Sequence, residues 1–507
     1  MTVQILRARR AIIGYPELRE SPATVVVRDG VIERVIADHA AQPDLGRADR
    51  ERADVIELPP GQILLPGLVD THVHVNEPGR AEWEGFDSVT RAAAAGGVTT
   101  LLDMPLNSIP STVDGAALAL KREIAAPKAR VTVGFWGGVV PSNIGTGELR
   151  RLWEDGRVFG FKCFLLHSGV DEFPPLTAEQ LHRAMTEIAA FDGLIIVHAE
   201  DPDLIAAGER HAAAEGGITN VYRSFERSRP PAAEHRAIRT VIEAAAATGC
   251  RAHILHLSDA GSLEQIRQAQ ERGIRVTAET CPHYLALFGE EIPDGATQYK
   301  CCPPIRDAAN RERLWAGLVD GVIGTVVSDH SPCTAELKRF AAHGDRLRGA
   351  FAAMAAAGND YGGAGADGRG HAGSFGEAWG GVASVQLGLP VVWSQARLRG
   401  LGLTEVVRWM CAEPARWCGL GDRGAIVPGA RADFTAISAD EAFVVLPERL
   451  HQRNKVTAYA QRALAGVVQA TWIGGELVYA RPGSPDAADA EVFPSGPMPL
   501  LDRPGAD

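Results

Sequence analysis

The sequence predicts an α/β fold, a (β/α)8 TIM barrel carrying a small β-sandwich-like domain made from both chain ends. Three observations lead there. Eight apolar runs of strand length recur between residues 64 and 329. Stretches of helical length separate most of them, which is the spacing a parallel sheet needs for its crossovers. The residues before and after that alternation read instead as short strands joined by glycine turns. With 507 residues the chain can bury a large core and hold more than one domain.

Residues 1–63 open with β-branched runs. Ala23-Thr24-Val25-Val26-Val27-Arg28-Asp29-Gly30-Val31-Ile32 places Asp-Gly between two of them, a hairpin signal. The barrel is assigned to 64–419. Its strand candidates are Leu64–Val75, Val98–Met104, Val131–Trp136, Val158–Leu166, Leu194–Ala199, Ala252–Leu257, Ile274–Glu279 and Ile323–Asp329. Pro231–Thr248 and Ser262–Arg272 are examples of the intervening helices. Eight units close a TIM-type barrel; a doubly wound open sheet is the alternative. After a helical stretch at Thr404–Cys418, residues 420–480 return to strands, with Pro428-Gly429 and Gly474-Gly475 as turns. These pair with 1–63 in the small domain. The Ala/Gly-rich segment 341–372 reads as a flexible insertion, and the proline-rich 481–507 as an irregular tail.

Bulk properties exclude several function classes. Lys and Arg number 51 against 63 Asp and Glu, so the net charge of −12 opposes binding to nucleic acid or to an anionic membrane surface. No run is long and apolar enough for a membrane span, and Met1–Arg10 lacks the long apolar stretch expected of a signal peptide. The eight cysteines form no CxxC pair and read as reduced core or site-lining thiols, so the expected compartment is the cytoplasm.

The chemistry concentrates at strand ends. In Val69-Asp70-Thr71-His72-Val73-His74-Val75 the two histidines stand two apart, so both face one side of a strand. They lie at its C-terminal end, where barrel active sites form. Lys162, in Phe159-Gly160-Phe161-Lys162-Cys163-Phe164, is an amine in an apolar strand, costly to bury alone. It reaches the barrel mouth, pairs with an acid, or loses its proton and reacts with carbon dioxide to give an anionic carbamate. His198, His256 and Asp329 each close an apolar run as well. Taken singly, each is an ordinary polar cap. Together the six groups converge on one mouth, and a His-rich set with a carboxylate suits Zn2+ or another borderline divalent ion. His253, by parity or layer, reads as a core or supporting group, and His330, which alternation turns away from Asp329, as a supporting group at most.

Longer motifs surround these residues: Val73-His74-Val75-Asn76-Glu77-Pro78-Gly79-Arg80, Asp103-Met104-Pro105-Leu106-Asn107-Ser108, Gly160–Leu165, Ser168–Pro174 and Ser328-Asp329-His330-Ser331-Pro332-Cys333. With them the sequence resembles the cyclic amidohydrolases of the amidohydrolase superfamily, and within that group the allantoinases. The resemblance runs from the N-terminal strands to about residue 480. It implies two divalent ions, one on His72 and His74 and one on His198 and His256, bridged by carbamylated Lys162. Asp329 completes the first set and shuttles the proton, while a bridging hydroxide opens the ring of allantoin to allantoate.

The resemblance also implies a homo-oligomer, a tetramer. Asn107 and Cys302, in Cys301-Cys302-Pro303-Pro304, stand where related enzymes hold the ring. Asn107 reads equally as a turn residue beside Pro105, and Cys302 offers its backbone before its thiol. Dihydropyrimidinases, hydantoinases and dihydroorotases are the alternatives inside the group. Dihydroorotases carry an arginine where this chain has Asn76. A scaffold that has lost its metals is the alternative outside it, and this chain keeps all six candidate ligands.

Overall fold

The computed structural model describes residues 2–37, 53–340, 373–482, 491, 493 and 496–505. The chain opens with strands β1 (Val3–Ile13), β2 (Arg19–Arg28), β3 (Val31–Ala37), β4 (Asp54–Glu57) and β5 (Ile63–Pro66). The barrel strands follow: β6 (Leu68–Val73), β7 (Val98–Asp103), β8 (Thr132–Phe135), the two-residue β9 (Gly137–Gly138), β10 (Phe161–Phe164), β11 (Leu194–His198), β12 (Arg251–Ile254), β13 (Val276–Thr280) and β14 (Thr325–Val326). The last strands are β15 (Phe434–Val444), β16 (Ala463–Ile473) and β17 (Glu476–Ala480).

The barrel strands pair in parallel, β6-β7-β8 and β9 through β14. Only Trp136 separates β8 from β9. Its amide reaches Asp103 O at 3.0 Å, and Gly137 N reaches Gly160 O at 2.9 Å, so one chain run joins both sets. A parallel bridge between Val73 and His330 closes the circle. The (β/α)8 expectation holds, and the open sheet is excluded. Pro231–Thr248 is a helix with Pro231 in its first turn and Gly249 as a left-handed cap (φ 71°). Its buried face, including Ala237, Ile238, Val241 and Ala245, repeats at helical spacing against the barrel. Thr404–Cys418 is helical but carries a π-turn at Arg408–Ala412, just before Pro414, which has no N–H to give to an α-helical ladder.

Both chain ends form one sheet, in the order β17-β16-β15-β5-β1-β2-β3, with β4 on β1. Its two predicted hairpins are present. Asp29 and Gly30 have φ of 49° and 82°, and Gly474 and Gly475 have 58° and 80°, as a type I′ turn requires. The sheet departs from the sequence reading at one strand. The run Leu64–Val75 is not a single barrel strand, because Gly67 divides it. A Cβ there would lie 2.3 Å from Thr99 Oγ1, and Gly67 N bonds Asp433 O at 2.9 Å. Leu64–Pro66 therefore pairs with β1 and β15, and the barrel begins at Leu68. The segment 341–372 lies outside the described residues. The described part of the tail runs along the barrel's N-terminal rim, with Leu501 N on Val133 O at 2.8 Å and Arg503 3.5 Å above the Trp153 ring. Among the described residues no helix is long and apolar enough to cross a membrane.

Candidate metal centre

The barrel places all six predicted groups at its C-terminal mouth. His72 lies in β6 with His74 just beyond it, Lys162 lies in β10, and His198 is the last residue of β11. His256 and Asp329 follow β12 and β14. Asp329 Oδ1 is 3.2 Å from His72 Nε2 and 3.7 Å from His74 Nε2. Lys162 Nζ is 3.2 Å from His72 Nε2. Ring centroids are 5.5 Å apart for His72 and His74, 5.4 Å for His72 and His256, and 4.5 Å for His198 and His256. Four residues around the site hold φ values that residues other than glycine rarely adopt: Asn76 (67°), Asn107 (64°), His256 (36°) and Asp329 (44°). Backbone of this kind persists where the surroundings hold it, and it gathers at functional sites.

Burial sets the electrostatics. It pushes His72, His74 and His256 well below the ordinary imidazole value, and the Lys162 charge pushes the same way. The rings are thus neutral, the form that donates to a metal. Burial also lowers Lys162 toward the free amine and raises Asp329 toward the acid. The donor set fits divalent ions. Ligand atoms of His72, His74 and Asp329 lie within 4.8 Å of one another. His256 Nδ1 is buried with no hydrogen-bond partner, and His198 spends Nε2 on Glu200, leaving Nδ1 as its second nitrogen. Each neutral imidazole has one N–H and one lone-pair nitrogen, and an electron-pair acceptor can satisfy several such lone pairs together.

Several residues that hold this centre escaped the sequence reading. Glu279, in β13, accepts from or faces His72 Nδ1 at 2.5 Å, His253 Nε2 at 3.0 Å and His256 N at 3.2 Å. An acid in an apolar strand is the same signal that singled out Lys162. Asp70 accepts the amides of His72 and Ser328, both at 3.2 Å. Glu200 and Arg229 lie behind His198. His253 and His330 fill supporting places: His253 stacks on Trp417 at 4.0 Å, and His330 Nδ1 accepts Ser384 N at 3.0 Å. Cys281 and His283 also approach Asp329, but neither lines the cavity.

That cavity, about 310 Å3, opens over the centre. Phe164, Leu166, Phe225 and Trp379 give it apolar walls, and Asn107, Cys302, Lys300, Arg229 and Ser331 give it polar ones. Asn107 is both a turn residue and a cavity residue: its φ is positive, and Nδ2 lies 3.4 Å from His74 Nδ1. Arg80 Nη1 holds Asn107 O at 2.8 Å and pairs with Glu172, tying two mouth loops together. Cys302 is the one cysteine not fully buried, and burial raises its thiol above the ordinary value. Lys300 and Lys338 donate to main-chain oxygens of Gly376, Ala378, Trp379 and Gly381, fixing a wall of the cavity.

Residues 63–478 match the profile of the amidohydrolase family. An allantoinase from Streptomyces avermitilis is 48% identical over 94% of this chain and 95% of its own length. The chain belongs to the amidohydrolase family, in its allantoinase branch. An allantoinase from Arabidopsis thaliana is 39% identical, over 90% of this chain and 84% of that one. Among solved structures, an L-hydantoinase (dihydropyrimidinase) from Arthrobacter aurescens superposes with a TM-score of 0.81 at 26% identity, covering 96% of this chain and 97% of the other. Family membership and the shared fold agree with the barrel and the chain-end sheet.

Proposed function

We propose that the chain hydrolyses the ring amide of allantoin to give allantoate. The observation that carries this reading is the meeting of four neutral imidazoles, Lys162 and Asp329 beneath a small cavity, in a chain 48% identical to an allantoinase. His72, His74 and Asp329 would hold one divalent ion and His198 and His256 the other. Zn2+ suits this donor set best. Two such ions supply Lewis acidity and an activated water at neutral pH.

The chain's own groups do the rest. Burial holds Lys162 toward the unprotonated amine, which could bond to carbon dioxide and release a proton; the anionic carbamate would then supply oxygen ligands to the ions. Asp329, whose proton affinity burial raises, takes the proton from the attacking water. It returns that proton to the ring nitrogen as the C–N bond breaks. Asn107 and the main chain of Cys302 border the same cavity and would orient the ring. The apolar walls keep bulk water from these charges. The eight unbridged cysteines suit a reducing compartment, the cytoplasm. The family resemblance extends the proposal to a homotetramer, which sedimentation checks.

The likeness to an L-hydantoinase structure favours a second reading, hydrolysis of other hydantoins or dihydropyrimidines. Turnover of allantoin, hydantoin, dihydrouracil and dihydroorotate by Zn2+-loaded protein separates them. Allantoin should be preferred, chelation should abolish turnover, and added Zn2+ should restore it. A preference for dihydrouracil or dihydroorotate sinks the assignment.

A further inference from the structure

The two halves of the centre are held differently. His72 is braced inside the barrel, by Glu279 on β13. His198 is braced from outside it. Its Nε2 meets Glu200 Oε2 at 2.8 Å, and the same carboxylate oxygen accepts Nη1 of Arg229 at 2.8 Å. Arg229 stands between two helices, Tyr222–Ser228 and Pro231–Thr248, with its guanidinium at the cavity wall. Its carbonyl in turn accepts Nη1 of Arg306 at 2.6 Å. Arg306 pairs with Glu234 at 2.9 Å, and Glu234 Oε2 accepts the amides of Ser258 and Asp259 at 3.0 and 3.1 Å. Those amides belong to the turn that follows His256.

One line of contacts therefore runs from the His198 ring to the loop of His256, through two arginine–glutamate pairs. Glu200 is fully buried, Glu234 is 2% exposed and Arg306 5%. A carboxylate at that depth that loses its guanidinium is an uncompensated buried charge and must turn toward another partner. That movement releases the ring it was bracing. Nothing comparable connects Arg229 to His72, His74 or Asp329 in the contacts described above.

We infer that Arg229 is a positioning residue for one half of the metal centre: its guanidinium sets His198 through Glu200, while its main-chain carbonyl ties the same segment to the His256 loop through Arg306 and Glu234. This rests on the two-ion reading given above. Removing the Arg229 guanidinium should weaken the ion on His198 and His256 and spare the ion on His72, His74 and Asp329. Groups that orient metal ligands typically change metal affinity by about 10–100-fold.

The test is the Zn2+ content of loaded, extensively dialysed full-length protein, with circular dichroism as a check on folding. Wild type should keep two ions per chain. If it keeps none, the two-ion reading itself fails, whatever the variants do. Arg229→Ala should keep one, with the second dissociating about 10–100-fold more readily, and Arg229→Lys should recover part of the difference.

Double variants assign the lost position. Arg229→Ala in a His256→Asn background should still keep one ion, whereas in a His74→Asn background it should keep none. Retention of two ions by Arg229→Ala, or loss of an ion from the His256→Asn background, overturns the inference. So does a raised KM with both ions kept, which would make Arg229 a substrate contact instead. Should Arg229→Ala fail to fold, Arg229→Lys and Glu200→Gln carry the same expectation in milder form.

Discussion

The chain-end sheet and the barrel mouth bury side chains to similar depth with opposite chemistry. In the sheet Leu6, Val25, Val27, Phe434 and Trp472 pack against one another, each 2% exposed or less. Apolar burial of this kind stabilises the fold at roughly 25 cal/mol per Å2. At the mouth the buried groups are imidazoles, an amine and carboxylates. For His72, His74, Lys162 and Asp329, burial outweighs what the neighbours give back. The sheet thus holds the chain together, whereas the mouth spends stability on a geometry that becomes favourable when ions bind. Substitutions in the two regions should separate activity from stability.

The largest separation is expected at Lys162. Lys162→Ala should leave no detectable turnover and weak metal retention, while the thermal midpoint of the metal-free protein stays level or rises. Short carboxylic acids added to the assay should return part of the activity by standing in for the carbamate. Full activity without them would remove Lys162 from the centre. Trp472→Ala tests the opposite region. It should cost about 3–5 kcal/mol in chemical denaturation, with kcat per folded molecule unchanged. A fall in kcat would mean that the sheet shapes the mouth.

Asn107→Gly is a smaller, mixed case. Glycine suits the φ of 64° there, so stability should hold while kcat/KM drops about 10–100-fold, as for other groups that orient a metal ligand. An unchanged kcat/KM would reduce Asn107 to its turn. Smallest is Gly475→Ala in the β16–β17 hairpin. Its φ of 80° and an oxygen of Gln4 at 2.2 Å from the added Cβ should cost about 1–2 kcal/mol, read as a lower denaturation midpoint at full activity.

Much of the barrel was legible because its strands are apolar runs ended by one conspicuous polar residue. That pattern singled out His72, His74, Lys162, His198, His256 and Asp329, and the structure brings all six together. Glu279 closes the candidate run Ile274–Glu279 in the same way and is not among the residues read as ligands; the structure shows it to be their brace. Gly67 hid the junction between the two regions, because an apolar run through a glycine looks continuous until its close approach to Thr99 is seen. Arg229 could not be read at all. Ser228-Arg229-Pro230 is an ordinary polar loop in sequence, and its meaning comes from Glu200, which only the fold puts beside it. Residues that act on substrate or metal leave a local mark; residues that hold those in place through a partner far along the chain do not.

The sheet built from both chain ends has a consequence for synthesis. Leu65 finds its partner in Thr435, so on the ribosome the first strands emerge long before the strand that covers their edge exists. An uncovered edge is a template for pairing with other chains, and vectorial emergence prolongs that exposure. The short β5, which ends at Pro66, offers little uncovered ladder to a passing chain during the wait. Emergence of β15, rather than closure of the barrel, is then the event that covers this edge.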